Sequence, residues 1–226
     1  RVTIFVWVSL ALSLLLLVLF PFAFSEVMIV GLAKLHLEPR IAMWIVISVF
    51  IGGLINIPIT RIKREEELVV NPLAIFGLFG FWPEIRRLHR ETIVAVNVGG
   101  CLIPAGLAIY ELFHLVAVDR PALWAAGAAT AIATVICYLT ARPTPGVGIV
   151  IPGVIPALVA ATSALVLAPG EAPAVAFIAG VFGPLIGADL LHLKDVSKLG
   201  SGMISIGGAG TFDGIVLSGI VAAYLT

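Results

Sequence analysis

The sequence predicts an all-α polytopic integral membrane protein of about seven transmembrane helices, interrupted by broken or re-entrant Gly/Pro-rich segments. Three observations predict it. Of the 226 residues, 61% are hydrophobic and 12% charged, where a soluble domain carries about 25% charged residues. The mean hydropathy is +1.17. Apolar runs repeatedly approach the ~20 residues that cross a bilayer. The formal net charge is zero, so no basic field invites nucleic acid. Cys101 and Cys137 fall inside predicted spans and read as small apolar packing residues rather than a disulfide framework.

Val2 to Phe24 is apolar, lacks a small-residue cleavage site before a polar region, and reads as a first span ending near Pro21 rather than as a signal peptide. Ser25 to Arg40 is too charged to cross and reads as an interfacial helix with Lys34, Glu38 and Arg40 toward water. The second span is Ile41 to Ile59, interrupted late by Gly52, Gly53, Asn56 and Pro58 and stopped by Arg61, Lys63 and Arg64, before the acidic run Glu65 to Glu67. Leu68 to Thr92 is too broken to span and is placed at the interface or as a re-entrant dip, with Trp82 at headgroup depth.

The third span is Ile93 to Leu115, with Asn97 near its start and Glu111 and His114 near its end. The fourth, Ala122 to Leu139, is rich in small residues that let helices approach closely, and its Thr130 and Thr134 read as bonding back to their own helix. Arg142 to Leu158 holds Pro143, Pro145, Pro152 and Pro156 and Gly146, Gly148 and Gly153. That stretch cannot form a regular helix through hydrocarbon, so it is buried in protein or lines a wet cavity. The fifth span runs from Pro156 to Pro169, the sixth from about Pro173 to Leu193. The seventh occupies the C-terminal segment, starting after Gly207, Gly208 and Gly210. Residues 1–226 thus read as one transmembrane domain.

An N-terminus on the cytoplasmic side places Arg1, Arg61, Lys63, Arg64, Arg86, Arg87, Arg90, Arg142, Lys194 and Lys198 inside and leaves Lys34, Arg40 and Arg120 outside, as the positive-inside rule requires. With that topology Asn56, Asn97, Asp189, His192 and Asp213 share the cytoplasmic third of the membrane. Glu111 and His114 fall at the opposite face and cannot join Asp189 and His192 in a metal site.

The candidate site is built on Asp189 and Asp213. An ionised carboxylate in hydrocarbon costs at least ~2.5 kcal/mol, so an acid there marks function by default. Two acids in one low-dielectric site share a proton, which allows one to activate water while the other protonates the carbonyl oxygen or leaving amine. This is hydrolysis of a peptide bond, with a transmembrane peptide as substrate, lipid as the surrounding partner, and no metal or cofactor. Asn97 and His192 are candidate supporting hydrogen-bonders, and Gly187, Gly208 and Gly210 let a substrate backbone approach.

Other readings of the same residues stay open. Asp213 follows Thr211 at a helix start, where either side chain caps free amides; Asp189 lies within reach of Lys194; Asn56 and Asn97 suit helix-helix hydrogen bonding. A proton- or cation-coupled transporter or channel would use the same acids with GGAGTFDG and PGVGIVIPGVIP as its discontinuous elements, oligomerising to reach a carrier's size. A third reading is a non-catalytic assembly or lipid-binding subunit.

At GADLLHL, Gly187 to Leu193, and SIGGAGTFDGI, Ser205 to Ile215, the chain resembles a prokaryotic family of uncharacterised multi-span membrane proteins, the domain of unknown function sixteen-fourteen. That resemblance covers most of the chain and implies a place in the prokaryotic cell (inner) membrane. The sequence also resembles presenilin and signal-peptide-peptidase-type intramembrane aspartyl proteases. Phe212-Asp213 is similar to their aromatic-aspartate pair, Gly187-Ala188-Asp189 in part to their Gly-x-Gly-Asp motif, and Pro156-Ala157-Leu158 to their Pro-Ala-Leu tripeptide, in a different order along the chain. This likeness implies paired-aspartate proteolysis, with Pro156, Ala157 and Leu158 as a substrate-positioning edge.

Overall fold

A computed structural model of the chain describes residues 2–63, 91–144, 148–194 and 203–226. The expectations for Arg1, for Arg64 to Arg90 with Trp82, and for Lys198 lie outside those residues. The fold is mostly helical: α1 (Val2–Ala33), α2 (Pro39–Gly52), α3 (Ile103–Val118), α4 (Arg120–Thr140), α5 (Ile155–Leu167), α6 (Ala172–Pro184) and α7 (Gly214–Leu225). It is not all-α. Strands β1 (Asn56–Lys63), β2 (Glu91–Asn97) and β5 (Met203–Ile206) form one sheet, and β3 (Arg142–Thr144) with β4 (Gly148–Val150) forms a second.

Among the described residues, three helical stretches are long and apolar enough to cross a membrane: Val98–Val118, Arg120–Thr140 and Pro169–Leu190. The Phe22–Ala33 part of α1 and the helices α2, α5 and α7 are shorter apolar stretches. Those of 12 to 14 residues, α2, α5 and α7, extend only about 20 Å, against a hydrocarbon core of about 30 Å. The third stretch is the axis of the molecule, being 72% buried against 33% for each of the other two. Its α6 portion packs on α3, α4, α5 and α7.

Small residues set those contacts, as the composition of α4 predicts. Ala122, Ala126, Ala129 and Ala133 form one fully covered face of α4, and a Cβ on Gly183 would come within 2.6 Å of Ala133. Between α6 and α7 the Ser218 hydroxyl donates to the Gly180 carbonyl. The outward sides carry Phe113, Trp124 and Leu139, all exposed, as a face toward hydrocarbon requires. Thr130 departs from expectation: its hydroxyl is buried and finds no partner among the described residues.

Three expected boundaries move. The first helix does not end at Pro21 but runs on to Ala33, because Phe24, Met28, Leu32 and Leu35 repeat at helical spacing and are buried. The segment read as interfacial is therefore a packed helix end, with Gly31 against the Ile220 carbonyl of α7. The second helix stops at Gly52, and Asn56 onward is strand. The third starts at Val98, since Glu91–Asn97 is also strand.

Strand β1 pairs antiparallel with β2 from Asn56↔Asn97 to Lys63↔Glu91, with an irregularity beside Pro58 that suits a residue lacking N–H on an edge strand. β2 pairs in parallel with β5 from Ile93↔Met203 to Val96↔Ile206. As the central strand β2 is buried from Val94 to Asn97, so it reads as a continuous apolar run, which periodicity cannot distinguish from buried helix. Of the Pro/Gly-rich stretch Arg142 to Leu158, Arg142–Thr144 and Gly148–Val150 pair antiparallel as β3 and β4, and its last four residues, from Ile155, already belong to α5.

Glycines bring the helix breaks against the sheet. Gly52 and Gly53 at the end of α2 meet Gly99, and Gly100 lies against the Gly207 carbonyl. Gly207 and Gly210 have φ of +71° and +62°, a left-handed conformation that glycine alone adopts at no steric cost. Gly100→Ala drives a Cβ into backbone and is expected to cost about 1–3 kcal/mol. Gly127→Ala, with nothing near its Cβ, is expected to be neutral or stabilising by up to about 1 kcal/mol. Thermal unfolding in detergent, followed by labelling of the buried thiols of Cys101 and Cys137, separates the two variants.

Candidate functional site

Asp189 is placed by a defect in the axial helix. Pro184 has no N–H to give, and from Leu185 to Leu190 the chain widens into a π-helical turn. The turn frees carbonyls, and His192 takes two of them: its Nδ1 donates to Gly187 O at 3.1 Å and Ala188 O at 3.0 Å. Carbonyls only accept, so this nitrogen carries the proton. The Tyr138 ring lies 4.8 Å from the imidazole. Gly187 lets the turn approach α4, since a Cβ there would strike the Thr134 carbonyl. Both residues therefore hold the turn that presents Asp189.

Asp213 is placed by a cap. The glycine-rich segment after β5 closes a single 3-10 turn, Gly210–Phe212, and Asp213 is the N-cap of α7. Its Oδ1 accepts from Ile215 N at 3.0 Å and its Oδ2 from Ala209 N at 3.3 Å. The capping alternative read from Thr211 and Asp213 is thus realised by the aspartate. Asp213 lies ahead of the helix, not within it. Burial raises the Asp213 carboxyl above the ordinary carboxylate range, and the two amide hydrogen bonds oppose that rise.

Both acids line one cavity of about 630 Å³, within the size range of small-molecule and peptide sites. Asp189 and Asp213 are each half-buried. The remaining wall comes from Gly148–Ile151 and Gly153 on one side and from Met203–Ala209 on the other, with Asn56, Leu193, Phe212, Gly214 and Leu217. Among the described residues β4 and β5 are each the end strand of their sheet, so two strand edges border the cavity that holds the carboxylates.

The other expected site residues divide. Gly208 lines the cavity; Gly210 does not, and instead packs 3.0 Å from Gly53 by its virtual Cβ. Pro156, Ala157 and Leu158 form the first turn of α5 just beyond the wall residue Gly153; Pro156 and Ala157 are buried and Leu158 faces outward. Asn97 is fully buried and off the cavity. It donates to Gly53 O at 2.8 Å and Asn56 Oδ1 at 3.1 Å, and accepts from Gly100 N at 2.7 Å.

Two lining groups escaped the sequence reading. Asn56, read as a helix-helix partner, faces the cavity, and Ser205 donates to its Oδ1 at 2.6 Å. The signal for Ser205 is the short alternation Met203-Ile204-Ser205-Ile206 ahead of paired glycines, a strand pattern.

Fold and site together define a mostly helical protein, with three helices able to cross a membrane and a small mixed sheet folded against an acidic cavity. The chain belongs to the family described as Protein of unknown function (DUF1614), which matches residues 50–225. No curated protein and no solved structure matches the chain. The likeness to presenilin-type proteases therefore rests on the quoted residues alone.

Asn keeps the cap to Ile215 but has one acceptor oxygen where Asp213 uses two, so Asp213→Asn should lose about 0.5–1.5 kcal/mol with the Ala209 hydrogen bond, and Asp213→Ala about 1 kcal/mol more with the cap. Asn97→Ala strips a buried carbonyl and a buried amide of their partners, and a loss of about 2–3 kcal/mol is expected. Thermal midpoints in detergent rank the three variants.

Proposed function

We propose that this protein is an intramembrane hydrolase of the aspartyl-protease kind, cleaving a peptide bond in or near the membrane with Asp189 and Asp213 as paired acid and base. One observation carries the reading: both carboxylates line the same cavity as two strand edges. An unpaired strand edge offers N–H and C=O groups at the spacing of an extended peptide. A substrate segment added to β5 or β4 would lie with its backbone beside the acids.

The chemistry follows from the two placements. Asp213, at a helix N-terminus with two amide donors, is the member better suited to carry charge. It takes a proton from a water molecule whose oxygen attacks the peptide carbonyl carbon, while Asp189 gives its proton to the carbonyl oxygen. Collapse of the tetrahedral diol breaks the C–N bond, returns one hydroxyl proton to Asp189 and delivers the proton held by Asp213 to the leaving nitrogen. The reaction consumes one water and uses no cofactor.

In this reading the chain makes about seven crossings of a prokaryotic cell membrane, some completed by short helices, with the N-terminus and the cavity on the cytoplasmic side. Arg142 and Lys194 follow the C-terminal ends of α4 and α6 at the cavity end, and Lys34 and Arg120 lie at the other, which supports that orientation.

A second reading, a proton- or cation-coupled transporter, is favoured by one feature. Two of the three candidate spans contain π-helical turns, Val98–Leu102 and Leu185–Leu190, and broken helices are how carriers expose backbone to ions. Purified protein in liposomes, offered single-span model peptides, distinguishes the two. Fragments found by mass spectrometry, lost by roughly 10³-fold in Asp189→Asn and Asp213→Asn, are expected for the hydrolase. Retained cleavage in either variant removes the paired-acid mechanism; no fragments but collapse of an imposed proton gradient selects the transporter.

A further inference from the structure

The end of the molecule away from the aspartates holds a second set of ionisable side chains that the hydrolase reading leaves unused. His36 lies in the turn after α1, Glu111 in α3, and Glu171 in the 3-10 turn Pro169–Glu171 that precedes α6. The imidazole stands between the two carboxylates, with Nδ1 3.1 Å from Glu111 Oε2 and Nε2 3.4 Å from Glu171 Oε2. The His114 ring stacks on it at 3.7 Å. The Tyr110 hydroxyl donates to the His36 carbonyl at 3.2 Å and fixes the turn. Glu111 is fully buried, and its second oxygen, Oε1, has no hydrogen-bond partner among the described residues.

A count of protons shows what the arrangement holds. Ionised carboxylate oxygens only accept, and a neutral imidazole has one N–H. Two carboxylates on opposite ring nitrogens are both satisfied only when the set carries a second proton. With one proton, one carboxylate faces a nitrogen lone pair. Glu111 is closed off from bulk solvent, and leaving a buried carboxylate without a donor is the costlier choice. Glu171 is only partly buried and can turn to solvent.

We infer that His36, Glu111 and Glu171 form a proton-binding site that ties the turn after α1 to the start of the axial helix. With the second proton bound, the ring joins Glu111 and Glu171; without it, the ring keeps Glu111 and releases Glu171. Ala172 and Asp189 lie at opposite ends of one helical run, on the order of 25 Å apart by helix rise. The site therefore samples the surface opposite the aspartate cavity while holding the helix that carries Asp189. A metal would need these groups to converge on one point, and among the described residues no three His, Cys, Asp or Glu do so. The inference holds whichever chemistry the aspartates perform.

Since the second proton is bound in the tied state, the tie is complete at low pH and is lost as pH rises. Hydrogen exchange of the whole protein in lipid nanodiscs, compared from roughly pH 5 to 8 and corrected for intrinsic rates, reads this directly. Protection of residues 168–174 is expected to fall roughly tenfold with rising pH in wild type, the scale of one charge-assisted hydrogen bond, while α4 stays constant. His36→Gln and Glu171→Gln should abolish the change, and His114→Gln, at a ring with no carboxylate partner among the described residues, should keep it. A wild-type pH response in His36→Gln or Glu171→Gln, or its loss in His114→Gln, overturns the inference. Should His36→Gln fail to fold, Glu171→Gln, altered at a partly exposed side chain, decides alone.

Discussion

The buried amide of Asn97 is the interaction on which the cavity end depends. Three main-chain or side-chain groups meet it: the Gly53 carbonyl that ends α2, the Gly100 amide that begins the helix after β2, and the Asn56 side chain on β1. Each belongs to an interrupted element, where backbone groups lose their regular partners. In a low-dielectric setting such groups are costly unless paired. One side chain with two donors and an acceptor closes all three breaks, and the contact of Asn56 with Ser205 extends the closure to β5. The glycines around it matter for the same reason, since the breaks can meet only where no Cβ stands between them.

That closure explains how a sheet can exist beside helices of this hydropathy. The central strand β2 is covered on both faces, β4 and β5 border a cavity, and β1 is the exposed strand, open from Asn56 to Arg61. Irregular backbone at membrane depth is tolerated in those two settings, buried in protein or lining water. The π-helical turn at Leu185–Leu190 obeys the same constraint, with His192 supplying the donor for carbonyls that the widened turn leaves unpaired.

Much of this was legible along the chain because it is local. Alanine and glycine spacing in residues 122–139 announced a close helix contact, Pro143 and Pro152 spoke against a helix between α4 and α5, and Thr211 with Asp213 announced a helix start. The strands were not legible for a physical reason. Residues 93–96 are apolar, and the run is short and largely buried, so it carries neither the alternation of a half-buried strand nor the length of a helix. Their partner β5 lies far along the chain, and no local pattern reports a parallel pairing. Asn97 and Asn56 were visible as polar residues in apolar context, but which of them faces the cavity depends on strand register, which only the fold supplies. His36 meeting Glu111 and Glu171 is likewise a contact between distant segments, although Glu111 and His114 stood out by themselves.

The parallel pairing of β2 with β5 also orders events during synthesis. Everything between Asn97 and Met203, including α3 to α6 and the β3–β4 hairpin, forms the crossover that separates the two strands. Non-local pairing of this kind comes late, because the ends of a long connection are brought together only after the intervening segments have folded. The wall that β5 contributes, and Asp213 behind it, thus join last. A chain in which β5 has not yet paired therefore holds Asp189 against an unfinished wall, and the cavity closes only with that last pairing.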